Sequence, residues 1–151
     1  MPRYLLHIFN YIYGNEIEEI LSFFREVNSE ILAVIGIPDE PVDVAVDFHD
    51  IGYYGDKNDE GVRGIKPKKD LLGHSFFTID LLREPKLTFD IVNITGLNKD
   101  YIILIEGVVT RLREEGIKIG VMFLDREFFN LPSILALTSL GIEWRRVPTS
   151  G

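Results

Sequence analysis

Cysteine is missing altogether from this 151-residue chain. Disulfides, thiolate metal sites and cysteine nucleophiles are thereby excluded, and any metal must rest on Asp, Glu or His. Hard, oxygen-preferring cations are the natural candidates. Positive charge is also in short supply, with 16 Lys and Arg against 24 Asp and Glu and a formal net charge of -8. That balance favours solubility and opposes unaided attraction to a polyanion, so any nucleic-acid contact has to be local. No apolar run approaches the roughly 18 residues of a membrane-spanning helix. The N-terminal "MPRYLLHIFNYIYG" carries His7 and Asn10 and lacks a signal-peptide cleavage pattern. These absences point to a cytoplasmic protein with no membrane partner. What the chain does hold, 46% hydrophobic and 11% aromatic residues, fills the core of a single compact domain.

The spacing of apolar residues predicts two amphipathic helices within residues 3 to 35, separated by a break at "YGN". Asn15 is the expected cap of the second, with Glu16, Glu18 and Glu19 complementing the helix dipole in its first turn; "GIPDEP" ends it. This gives an N-terminal helical segment, 1–41, ahead of a core, 42–151. "VDVAVDF" then puts Val42, Val44, Val46 and Phe48 on one face and Asp43, Ala45, Asp47 and His49 on the other, the period of a strand. Residues 50 to 74, with Gly52, Gly55, Gly61, Gly64 and Gly73 and no sustained periodicity, are expected to form a long loop, and loops of that length usually have a task. "HSFFTIDLL" and "KLTFDIVNI", separated by "REP", predict an antiparallel hairpin. Residues 98 to 115 switch to helical spacing, with Asn98 as cap and Gly116 as stop. "IKIGVMFLD" reads as a strand covered on both faces, "LPSILALTSLG" as a short helix and "IEWRRV" as a last strand.

Three antiparallel strands followed by αβαβ is the element order of the ribonuclease H fold, so the expected class is α/β with an RNase H-like mixed sheet. Within that order, "VAVDFHDIGYYGD", the basic "GVRGIKPKK" and "FLDREFF" together resemble the catalytic domain of DDE transposases from prokaryotic, particularly archaeal, insertion sequences. The resemblance runs from about residue 42 to 147. It implies that Asp47 and Asp125 are catalytic metal ligands for Mg or Mn, and that DNA is the partner. Cutting and joining phosphodiesters calls for carboxylates that bring two divalent ions together. Rigid neighbouring strands can hold such groups, and an ionised carboxylate in an apolar strand is otherwise costly unless paired or metal-bound. The third acid of the family, a glutamate on a helix beyond the last strand, has no counterpart, because the sequence stops at "VPTSG" and Glu143 cannot be mapped onto it. The chain therefore reads as a truncated relative.

Each candidate has a plainer reading. Asp47 could be a strand-end acid paired with Arg or Lys, and Asp125 a turn or helix-cap residue. His49 and Asp50 are weaker candidates, as groups supporting the ligands, and Glu127 reads as a solvated or Arg-paired acid. Arg63, Lys66, Lys68 and Lys69 form the one local basic cluster, with Tyr53 and Tyr54 nearby for stacking on a base. The competing reading is a solvated loop, since Asp56, Asp59, Glu60 and Asp70 dilute its charge. "REFFNL" and Trp144 read as packing. Two functions follow: a metal-dependent strand-cleavage and transfer domain, incomplete or weakly active alone, or a catalytically silent RNase H-like interaction protein. An uncovered end of the sheet makes a homodimer a reasonable expectation.

Overall fold

The computed structural model describes residues 17–59, 61–65, 71–94 and 100–148. The first predicted helix, Asn15, Asn98, Glu60, Asp70 and Lys66, Lys68 and Lys69 lie outside the described residues. Helix α1 (Ile17–Ile35) carries Glu18 and Glu19 in its first turn and closes at Gly36, whose φ of 83° is a left-handed conformation that suits glycine. The six described strands are β1 (Val42–Gly52), β2 (Arg63–Gly64), β3 (Leu72–Leu81), β4 (Leu87–Ile94), β5 (Ile119–Leu124) and β6 (Glu143–Arg146). Helix α2 (Tyr101–Glu114) connects β4 to β5, and α3 (Leu131–Ser139) connects β5 to β6. Asp100 caps α2 by accepting a hydrogen bond from the Ile103 N–H.

Strand order is β4–β3–β1–β5–β6, with β2 extending the edge of β3 beside β4. The β1–β3 and β3–β4 pairs are antiparallel, whereas β5 is parallel to both β1 and β6. This is the mixed sheet of an RNase H-like fold. Inward residues of the strands (Val44, Val46, Phe77, Ile79, Met122 and Leu124) join Leu32 of α1, Ile105 and Leu112 of α2 and Leu137 of α3 in one buried cluster. The three described helices thus share one face of the sheet.

The expected loop at 50–74 is shorter than the glycines suggest. Strand β1 runs on through His49, Asp50, Ile51 and Gly52, paired with Gly73 to Phe76 of β3, because backbone pairing does not require apolar side chains. Two irregularities then set where the acids point. In β4 the register with β3 shifts between Ile79 and Asp80, which turns both Phe89 and Asp90 into the interior. Between β1 and β5 the register shifts between Val42 and Val44: Val42 pairs with Ile119, but Val44 pairs with Met122. Here the Asp43 carboxylate accepts from the Val121 N–H at 2.8 Å, and Gly120 leaves room for it, since a Cβ there would stand 2.5 Å from Asp43 Oδ1.

Candidate functional site

That second shift decides which residues meet at the C-terminal ends of the two central parallel strands. With the pairing of Val42 to Ile119 carried forward unchanged, Asp47 would lie level with Leu124. After the shift, Val46 pairs with Leu124, and the next residues on each strand are Asp47 and Asp125. The Asp125 N–H continues the ladder by donating to Val46 O at 3.4 Å. Both aspartates follow an inward residue, Val46 and Leu124, so both leave the sheet on the side away from the helices. On the helix side the same turn is fixed by aromatic packing. Phe48 stacks on the buried Phe128 at 4.4 Å between centroids and 10° between planes, and Tyr101 meets both rings edge-on. Asp125 precedes the 3-10 turn Arg126–Phe128 but makes no side-chain capping hydrogen bond, so its carboxylate is not used by the turn.

The environment of Asp47 raises its pKa above the ordinary carboxylate value. Partial burial is the largest cause; the negative charge of Asp125 and a hydrogen bond shared with it act in the same direction. The Phe48 N–H, which donates to Asp47 Oδ1 at 2.7 Å, and the charge of His49 oppose the shift. His49 Nε2 stands 3.7 Å from Asp47 Oδ2, two residues on and therefore on the same face of β1. Two carboxylates facing one another with one oxygen of Asp47 already held by the backbone are an arrangement that a cation would relieve. Two carboxylates are also enough for a magnesium ion that keeps several waters. Among the described residues, however, no group of three or more His, Asp or Glu side chains is placed to hold a metal ion.

The other described sequence candidates are dispersed. Asp50 lies on the opposite face of β1 from Asp47, where Ser75 Oγ donates to it; it does not support the pair. Arg63 is half-buried on β2, close enough to Tyr101 for its charge to act on the phenol. The Tyr101 pKa is raised, first by burial and then by the charge and hydrogen bond of Glu127, with Arg63 acting the other way. Glu127 accepts from Tyr101 Oη at 3.4 Å, so it belongs to a polar cluster at the start of α2. Tyr53 donates to Asp59, while Tyr54 is 94% exposed. Phe128 is core, as the sequence pattern predicts, but Phe129 is exposed and meets Trp144 edge-on. The residues that sequence reading passed over are Asp43 and Gly120, whose contact levels the pair; nothing in a strand pattern marks a register shift.

No protein-family model and no curated protein sequence matches the chain. Among solved structures it is similar to a piggyBac transposase synaptic complex with hairpin DNA, at 14% identity and a TM-score of 0.47 over 74% of this chain and 24% of that one. It is also similar to a simian T-cell lymphotropic virus intasome in complex with the PP2A regulatory subunit B56 gamma, at 12% identity and a TM-score of 0.44. That alignment covers 77% of this chain and 35% of the other. The chain therefore spans about a quarter to a third of the length of these two chains. Among the described residues no helix is long and apolar enough to cross a membrane. The strand order and pairing directions of this chain are those of an α/β, RNase H-like mixed sheet.

Proposed function

We propose that the chain is a transposase-like domain in which Asp47 and Asp125 form a two-carboxylate site for Mg or Mn at DNA phosphates, incomplete as a catalytic unit by itself. The observation that carries this reading is the levelling of the two carboxylates across β1 and β5, on the face of the sheet away from the helices. Bound there, a divalent cation would polarise a phosphoryl oxygen and lower the pKa of a water. The chain's own part is positional: the Phe48 N–H holds one oxygen of Asp47, and the Phe48–Phe128 stack holds the turn that carries Asp125. His49 lies on the side of the other Asp47 oxygen, where it can hold a proton or orient a water. Phosphate contact by Arg63, Lys66, Lys68 and Lys69 rests on the sequence pattern alone.

The test is manganese binding by calorimetry, with anomalous scattering from soaked crystals. Wild type should bind with density between Asp47 and Asp125, and Asp47→Asn should weaken binding by about ten-fold or more. Equal affinity in the two proteins sinks the site. Plasmid nicking then separates the two functions: activity abolished by Asp47→Asn supports a nuclease, whereas no activity beside intact metal binding supports the silent interaction protein. The second reading is favoured by the lack of a third acidic ligand among the described residues.

A further inference from the structure

Strand β6 ends the sheet on the side away from β3, and among the described residues it is hydrogen-bonded on one side only, to β5. A free strand edge is a template for another strand, and natural edges are usually blunted by charges that repel a second copy. This edge is charged differently. Glu143 and Arg145 lie two residues apart and so share one face, where Arg145 Nη2 donates to Glu143 Oε1 at 2.8 Å with both side chains largely exposed. Trp144 lies between them on the helix face beside Phe129, which is 43% exposed under the Arg146 guanidinium, and Val147 is also 43% exposed, as are Leu131 (68%) and Leu135 (54%) of α3. Leu131 and Leu135 are one turn apart on α3, on the side of the helix turned away from its buried Ser133, Ala136 and Leu137.

We infer that β6 is a homodimer edge, pairing antiparallel with β6 of a second copy about a two-fold axis perpendicular to the sheet. Such an axis keeps the helices of both copies on one side, and it requires paired residues to come from the same face. The register that centres Trp144 on the axis meets both conditions. It sets Glu143 opposite the partner's Arg145, Arg145 opposite the partner's Glu143, and Trp144 opposite the partner's Trp144. Every cross-strand charge pair is then attractive, so the edge is complementary to itself, as an isologous interface must be. Strands about 4.8 Å apart bring a helix lying over β5 and β6 about two strand spacings from its mate, within the usual range for packed helices.

Trp144 is the only tryptophan in the chain, so its fluorescence reports on this edge directly. The experiment is sedimentation equilibrium and tryptophan emission over a dilution series, on the whole chain as wild type, Glu143→Arg, and the double variant Glu143→Arg/Arg145→Glu. Wild type should dimerise, with emission shifting to the red as it dissociates. Glu143→Arg should weaken the dimer about ten-fold or more, and the double variant should restore it. A wild-type monomer at the highest concentration overturns the inference. So does a dimer that Glu143→Arg leaves intact, or one whose dissociation leaves Trp144 emission unchanged. Both substituted side chains project from an exposed edge, and circular dichroism melting separates lost pairing from lost folding.

Discussion

Asp90 and Asp47 lie on the same sheet in opposite circumstances. Asp90 is 1% exposed on β4 and held by two guanidinium groups: Arg25 of α1 donates to it at 3.0 Å, and Arg111 of α2 pairs with its other oxygen. Arg25 also reaches Ile91 O, and Asn28 donates to Thr88 O and Phe89 O. The acid there ties two helices to the strand. Asp47 is more exposed, receives one backbone N–H, has only His49 as a nearby positive group, at 3.7 Å, and faces another carboxylate. Burial alone therefore does not set the two acids apart; what separates them is how much countercharge the protein supplies, two guanidinium groups at Asp90 and a single imidazole at Asp47. Where the countercharge is full, the carboxylate is architecture, and where the protein supplies a second carboxylate, the site is suited to a charge from outside.

The comparison can be broken most forcefully at Asp90. Asp90→Ala leaves Arg25 and Arg111 facing each other over a buried gap and should destabilise the fold by about 3 kcal/mol, read from urea denaturation. A loss below about 0.5 kcal/mol would show the triad to be dispensable. Manganese should act at the other site: at ten times its dissociation constant it should stabilise wild type by about 1.4 kcal/mol. Asp90→Asn should respond in the same way, while Asp125→Asn should not respond. A thermal shift unchanged in Asp125→Asn would move the metal elsewhere.

The smallest effect concerns protons. Because the folded-state pKa of Asp47 is raised, its favourable contribution is present below the unfolded value near 3.8 and is lost as pH rises through the folded value. At neutral pH in chelator, Asp47→Asn should therefore be more stable than wild type. The side chain is 45% exposed, so solvent screening limits the gain to a few tenths of a kcal/mol, about 1 to 2 °C in Tm. The gain should vanish below about pH 4. A gain that persists there would assign the effect to packing.

Much of this architecture could be read from periodicity. The alternation of Val42, Val44 and Val46, the hairpin around "REP", the helical stripe of Ile105, Val108, Val109 and Leu112, and the closing strand at Trp144 all occur where the pattern puts them. Asp47 and Asp125 could be singled out as a pair through family resemblance, and they do lie side by side. What periodicity could not show are the breaks in it. The β4 shift turns Asp90 inward beside Phe89, where alternation would have put them on opposite faces. The glycines after Asp50 concealed a strand that continues by backbone pairing with β3 without an apolar alternation to mark it. Arg63 read as part of a basic loop, yet pairing with Gly73 draws it to the edge of β3, near Tyr101.

The Asp43–Val121 hydrogen bond has a consequence for how this sequence can change. Asp43 lies four residues before Asp47, and Val121 four residues before Asp125, so the contact acts as a spacer gauge set equally far back on both strands. Deleting one residue between gauge and tip on either strand would carry one aspartate through to the other side of the sheet. Changes ahead of the gauge, in "GIPDEP" or at the end of α2, could be absorbed without disturbing the tips. Insertions and deletions in related chains should therefore collect upstream of Asp43 and Gly120, and the two four-residue intervals should keep equal length even where their side chains differ.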